Sequence, residues 1–400
     1  MKFTSLAVRD PRMPSSNAPH QIPLVAASSF VFDSIEQGID IFDGKQEGHI
    51  YGRFGNPTVD AAAAKIAALE SVGVGVPTGG LFCASGMAAI ATVLQGVCRP
   101  GHVIVTSADL YGGTSKLIDR LCETVGVKRV NADLRNVETL EDCLAEYRDI
   151  CIVYVETPSN PTLRCTDLGM LADLAHHYGG LLVADNTFAT PVTQRPLLHG
   201  ADVVLHSTTK YLNGHGTGIG GAIVYRDEPE MRDAFTTVYR LHGGNGNPWD
   251  AWLVLNGLKT LPLRMERHSE NALRVARYLR DHPRVDRVNY PGLGDHPDCL
   301  IIGKQMQLYG GMLSFSLGGG LEAAKQFMNA LRFCTLTPTL GDVDTLVLHP
   351  ATMSHRGLDP EVRRAEGITD GLVRMSVGIE DVDDILEDVE RALAQVNHRG

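Results

Sequence analysis

Short apolar runs recur through the middle of the chain, at residues 102–106, 151–155, 181–184, 202–205 and 222–225. Most are unbroken instead of alternating, the pattern of strands in a parallel sheet covered on both faces. Between them lie stretches with helical apolar spacing, such as residues 168–178, and residues 61–69 are strong helix formers. This alternation predicts a doubly wound, mostly parallel α/β domain. Residues 249–279 read as one or two long helices. Beyond them the strand-like run Met312-Leu313-Ser314-Phe315-Ser316 mixes with helical segments and ends in an amphipathic stretch over 382–396. That pattern predicts a smaller C-terminal α+β domain. The first 55 or so residues are rich in Pro, Ser and Gly and read as an extended arm. The expected division is an N-terminal arm over 1–59, a large domain over 60–255 and a C-terminal domain over 256–400.

Composition narrows the partners. With 400 residues and 44% hydrophobic content the chain can bury a large core. Its formal net charge of -11 argues against nucleic acid or an acidic membrane as partner. No run approaches the ~20 apolar residues of a membrane span, and residues 1–23 lack a signal peptide's apolar region. None of the 8 cysteines forms a C-x-x-C pair, and several sit in apolar runs. They read as free thiols of a cytoplasmic protein. No metal site is expected: His176-His177 and His349…His355 lack ligand spacing and read as core or capping histidines.

Open α/β sheets bind ligands at the carboxyl ends of their strands. Lys210 follows one such end in Ser207-Thr208-Thr209-Lys210, ahead of a glycine-rich segment. A lysine among hydroxyls there suits a Schiff base beside a phosphate, although a surface lysine in a polar loop reads the same. Asp185 ends the preceding apolar strand, where a carboxylate can pair with the ring nitrogen of pyridoxal 5'-phosphate or simply cap a helix. Ser85-Gly86-Met87 runs small residues into a helical stretch, a potential anion site at a helix start or only a tight turn. Tyr111 can stack on a cofactor ring and act as acid or base, or be a turn tyrosine. Arg374, in the apolar strand Leu372-Val373-Arg374-Met375, needs an anionic partner, either a substrate carboxylate or an internal acid.

These residues occur together with Tyr51-Gly52-Arg53-Phe54-Gly55-Asn56-Pro57-Thr58, Glu156-Thr157-Pro158-Ser159-Asn160-Pro161 and His349-Pro350-Ala351-Thr352-Met353. In that combination the chain resembles the Cys/Met-metabolism pyridoxal-phosphate enzymes, the cystathionine γ-synthase-like group of fold-type I. The resemblance covers residues 20–397. It implies that Lys210 carries the cofactor and moves protons, and that Asp185 pairs with the ring nitrogen. It implies that Tyr111 stacks on the ring and serves as acid/base. Ser85, Gly86, Met87, Ser207 and Thr209 would surround the phosphate, with Tyr51 and Arg53 reaching it from a neighbouring subunit. Asn160, Thr339 and Arg374 would position an amino-acid substrate. The assembly implied is a homotetramer, a dimer of dimers with shared active sites.

Within that group the reaction expected is γ-elimination or γ-replacement on a sulfur amino acid or activated homoserine. Pro338 stands where enzymes acting on cystathionine tend to carry Glu. The run Thr339-Leu340-Gly341-Asp342-Val343-Asp344-Thr345-Leu346 looks more like methionine γ-lyases and sulfhydrylases. Against the lyases, Gly113 replaces their usual cysteine, and their lysine-aspartate pair is missing from residues 241–251. Methionine γ-lyase-like activity is the leading expectation. A homoserine-ester sulfhydrylase or other γ-replacement synthase comes second, cystathionine γ-lyase lower, and a non-enzymatic cofactor-binding regulator last. Residues 71–80 read as a lengthened loop before the phosphate helix.

Overall fold

The structure, a computed structural model, describes residues 1–10 and 19–397. Seven strands form the larger sheet: β1 (Thr78–Cys83), β2 (Val103–Thr106), β3 (Lys128–Asn131), β4 (Ile150–Glu156), β5 (Leu181–Asp185), β6 (Val203–Ser207) and β7 (Gly221–Arg226). Their order is β1-β7-β6-β5-β4-β2-β3. The five strands from β3 to β6 run parallel, while β7 is antiparallel to both β6 and β1. The fold class is therefore the expected one.

Side-chain alternation explains why these strands read as continuous apolar runs. Ile152 and Tyr154 of β4, Val183 of β5 and Leu205 of β6 enter one core with the helices Gly86–Val97 and Pro229–His242. Val153 and Val155 of β4, with Leu182 and Ala184 of β5, pack on the opposite face beside the helix Leu168–His177. Val204, Ala222 and Val224 share that opposite side with the helices Pro57–Glu70 and Pro248–Lys259. With both faces covered, period two leaves no polar alternation to see.

The smaller sheet holds β8 (Val285–Asn289), β9 (Met312–Leu317), β10 (Thr335–Leu336), β11 (Leu346–Leu348) and β12 (Leu372–Ser376), in the order β10-β11-β12-β9-β8. Here alternation is visible. Leu313, Phe315, Val373 and Met375 join a core with the helices Leu261–Arg280 and Val382–Ala394. Arg374, between Val373 and Met375, consequently faces the other way, toward the larger sheet. The two long helices expected over 249–279 are Pro248–Lys259 and Leu261–Arg280, so a boundary at 255 lies inside the first of them.

The N-terminal arm is partly folded. Phe3–Val8 is a short helix that buries Ala7, and Asp10 forms buried ion pairs with Lys65 and Lys259. Residues 11–18 of the arm and 398–400 of the C-terminal segment lie outside the described residues. Farther along, Asn56 caps the helix Pro57–Glu70 and also holds the arm through the Val25 carbonyl, at 2.8 Å. The reading of 71–80 as one loop needs correction, because its last three residues open β1. Glycines hide this strand from the sequence pattern, yet packing requires them. A Cβ on Gly79 would lie 2.4 Å from the Tyr225 ring, and one on Gly80 2.8 Å from the Ala63 carbonyl oxygen.

Candidate active site

Three neighbouring strands of the larger sheet end in polar residues on the same face. Glu156 closes β4, Asp185 closes β5 and Ser207 closes β6, and Glu156 and Asp185 are paired in register. Together with the start of the Gly86–Val97 helix they line a cavity of about 240 Å³. Lys210 and Tyr111 enter from the larger sheet's loops, and Pro338 and Arg374 from the smaller sheet's side. The site thus sits at the carboxyl end of the strands, as open α/β sheets dictate.

Buried carboxyls form its floor. The Thr187 N–H donates to Asp185 at 3.0 Å, and the Tyr154 hydroxyl lies 3.5 Å from its other oxygen. Burial pushes the Asp185 carboxyl up, while Thr187 and the charge of His206 hold it down. Glu156 accepts the Tyr111 N–H at 2.9 Å, and burial plus the adjacent Asp185 drive its carboxyl well above the usual range. Neither acid has a salt bridge to Lys or Arg among the described residues. Two adjacent buried carboxyls without a basic side chain suit a cationic ring N–H on this floor.

At one side the helix Gly86–Val97 begins. Ser85 caps it, accepting the Ala88 N–H at 3.0 Å, which leaves the N–H groups of the first turn directed at the cavity. A Cβ on Gly86 would lie 2.9 Å from the Ser207 Cβ, so only glycine lets the helix start approach β6 this closely. The Ser207 N–H donates to the Thr187 hydroxyl at 2.9 Å. The Thr209 hydroxyl is turned toward Gly220, accepting its N–H at 3.1 Å. An anion-receiving helix start, a cationic amine and a carboxylate floor in one cavity fit pyridoxal phosphate in residue type and order.

Across the cavity, Lys210 donates to the Thr339 hydroxyl at 2.9 Å. Burial, helped by the nearby Arg374 charge, lowers its ammonium to about 8. Roughly a quarter of such a group is free amine at pH 7.5, against about a thousandth for an unshifted lysine. In cofactor-free protein, the rate at which Lys210 captures added pyridoxal phosphate should therefore rise with pH around a midpoint near 8. A stopped-flow midpoint near that of ordinary lysine would contradict this.

Arg374 is 3% exposed and donates to the Asn160 side-chain oxygen and the Thr339 carbonyl, both at 3.1 Å. Both acceptors are neutral. Among the described residues no internal acid supplies the anion that the sequence reading held open as its partner, so the guanidinium keeps an unneutralised charge facing the cavity. Burial lowers it only to about 10, and it stays charged.

Tyr111 is 45% exposed at the cavity mouth. Tyr51 and Arg53 do not line the cavity of their own chain; Tyr51 is 46% exposed and Arg53 donates to the Arg240 carbonyl. Sequence reasoning placed Glu156 and Thr187 among the polar strand-end residues without giving either a specific role, and passed over Tyr154. A usable signal existed for Glu156, which closes an entirely buried strand as Asp185 closes the next one. Tyr154, inside the strand, carries no comparable mark.

The fold and this cavity define a pyridoxal-phosphate enzyme of fold-type I. Residues 4–394 match the family described as Cys/Met metabolism PLP-dependent enzyme, and the chain belongs to that family. It is 43% identical over 376 residues to the L-methionine gamma-lyase of Fusobacterium nucleatum subsp. polymorphum, covering 94% of this chain and 93% of that protein. It is 38% identical to the O-succinylhomoserine sulfhydrylase of Pseudomonas aeruginosa, covering 98% and 95%. Among solved structures, cystathionine gamma synthase from Xanthomonas oryzae pv. oryzae superposes with a TM-score of 0.92 at 39% identity, covering 99% and 98%.

Proposed function

We propose that this protein eliminates the γ-substituent of a sulfur amino acid, methionine foremost, releasing 2-oxobutyrate, ammonia and a thiol. The observation that carries the reading is the buried, neutrally partnered Arg374 facing the same cavity as Lys210 and Asp185. It calls for an α-carboxylate within reach of a base and an acidic floor. Similarity to methionine γ-lyases supports the leaving group.

When bound, pyridoxal phosphate supplies the electron sink that allows protons to leave Cα and then Cβ. Lys210 would anchor it, and as an amine lowered to about 8 it can both accept and return those protons. Asp185 holds the ring nitrogen. Ser85, Gly86, Met87, Ser207 and Thr209 hold the phosphate. Arg374, with Asn160 and Thr339, fixes the α-carboxylate, and Tyr111 at the mouth protonates the departing sulfur.

A second reading, γ-replacement on an activated homoserine, draws on Gly113. A Cβ there would lie 2.5 Å from the Tyr111 ring, so the bare glycine shapes the space where a leaving group or nucleophile sits. Similarity to a sulfhydrylase supports it too. One assay separates the two. Methionine alone should yield 2-oxobutyrate. If product forms only when O-acetyl- or O-succinylhomoserine is supplied with a thiol, the elimination reading is wrong.

We also propose the homotetrameric assembly, in which Tyr51 and Arg53 complete a neighbour's phosphate site. The same proposal keeps the arm, large domain and C-terminal domain at 1–59, 60–255 and 256–400. It assigns a cytoplasmic setting, supported by eight unpaired cysteines. Among the described residues no helix is long and apolar enough to cross a membrane.

A further inference from the structure

Behind the cavity floor lies a second polar layer that the proposed reaction does not use. In β6, Ser207 faces the cavity, so His206 points to the opposite side of the sheet. There it meets Glu70, the last residue of the helix Pro57–Glu70, at 2.6 Å, and both side chains are fully buried. The same Glu70 oxygen accepts the Asn186 amide at 2.8 Å. Asn186 also donates to the Gln194 carbonyl at 2.9 Å, and the Gln194 side chain donates to the Thr157 carbonyl at 3.0 Å. Gln305 closes the row, donating to the Gln194 side chain at 3.0 Å.

The members of this row are sequence neighbours of the floor. Thr157 follows Glu156, Asn186 follows Asp185 and His206 precedes Ser207. One continuous network therefore joins, from behind, the three strand ends whose front faces line the cavity. We infer that Glu70 and His206, acting through Asn186 and Gln194, are positioning residues that fix Glu156, Asp185 and Ser207 in one plane beneath the cofactor.

The alternative is a stabilising core network with no bearing on the site. Three features argue against it. Apolar packing already covers this face through Val204, Val224 and Ile66. The pair retains two buried atoms without partners, Glu70 Oε2 and His206 Nδ1, a cost that pure stability would remove. A protonated His206 would also favour the ionised form of Asp185. A buried acid–imidazole pair retained directly behind a floor that must hold a cation is what a positioning device requires.

The inference rests on the site reading above, and one experiment separates the two. Cofactor-free full-length protein is titrated with pyridoxal 5'-phosphate, and the visible circular dichroism of the bound cofactor is recorded. Glu70→Leu combined with His206→Leu removes the pair as a unit, leaving neither partner buried alone. The dissociation constant should rise about tenfold and the dichroic band should change, with kcat down about tenfold and KM within about twofold. Glu70→Gln, which keeps shape and acceptor, should stay within about twofold of wild type. Unchanged affinity and dichroism in the double variant would overturn the inference, whatever its melting temperature. Should that variant not fold, Gln194→Met decides: affinity about fivefold weaker supports the inference and unchanged affinity refutes it. Lys210→Ala is the control for the site itself. If it retains the wild-type visible band, the site reading fails; if it loses the band while the network variants are silent, only the present inference fails.

Discussion

Lys210→Ala should lower turnover about 10⁴-fold, the upper end of what removing one positioned proton-transfer group costs. Lys210 is asked to do two jobs, anchoring the cofactor and moving protons, so its loss is felt in kcat more than in KM. The visible absorbance of lysine-bound cofactor should vanish with it. Stability should change little, because the variant removes a partly buried ammonium whose hydrogen bond is to the Thr339 hydroxyl. Mixing this variant with Arg53→Ala under subunit-exchange conditions tests the shared site. Each chain alone should be weak, and mixed oligomers should regain activity by pairing an intact Lys210 with an intact neighbouring Arg53. No recovery in verified mixed oligomers would place Arg53 outside the neighbour's site. A Lys210→Ala enzyme within tenfold of wild type would dismiss the catalytic assignment.

Arg374→Leu should cost about 3 kcal/mol of substrate recognition, roughly 10²-fold in kcat/KM, since hydrogen bonds to charged groups contribute about 1.5–3 kcal/mol each. The loss should fall mainly on KM, because the α-carboxylate is held alike before and during the reaction. Arg374→Lys restores charge without the planar fork and should recover only part of it. Methionine amide gives the internal check. It lacks the carboxylate, so wild type should handle it poorly and Arg374→Leu should add little further loss. If leucine cost as much with the amide as with methionine, Arg374 would be supporting Asn160 and Thr339 instead of gripping substrate.

The departure at Gly113 gains meaning from the structure. In the sequence it is a missing cysteine. In space a Cβ there would lie 2.5 Å from the Tyr111 ring and 2.9 Å from the Met87 sulfur. Any side chain there must move Tyr111 or Met87, both of which line the cavity. Glycine therefore leaves Tyr111 close to the helix start, a geometry a larger residue would not permit.

Local signals in the chain determined a good deal. Unbroken apolar runs specified buried parallel strands, because a strand covered on both faces needs apolar residues at every position. Polar residues just past those runs marked the cavity's floor, because strand ends are where open sheets bind ligands. Lys210 and Asp185 were legible for that reason, and Ser85-Gly86 because small residues there run straight into a helical stretch. Other elements carried no local mark. β3 is a partly exposed edge strand with two basic residues, and β1 is rich in glycine, so neither shows a hydrophobic period. Tertiary structure alone decided that Arg374 meets Asn160 across 214 residues of chain, and that Glu70 meets His206 across 136. It alone decided that Arg374 finds no internal acid among the described residues and that Tyr51 and Arg53 stay outside their own chain's cavity. Periodicity reports which face of an element is buried, whereas the partner on that face is set by strand order and chain crossing.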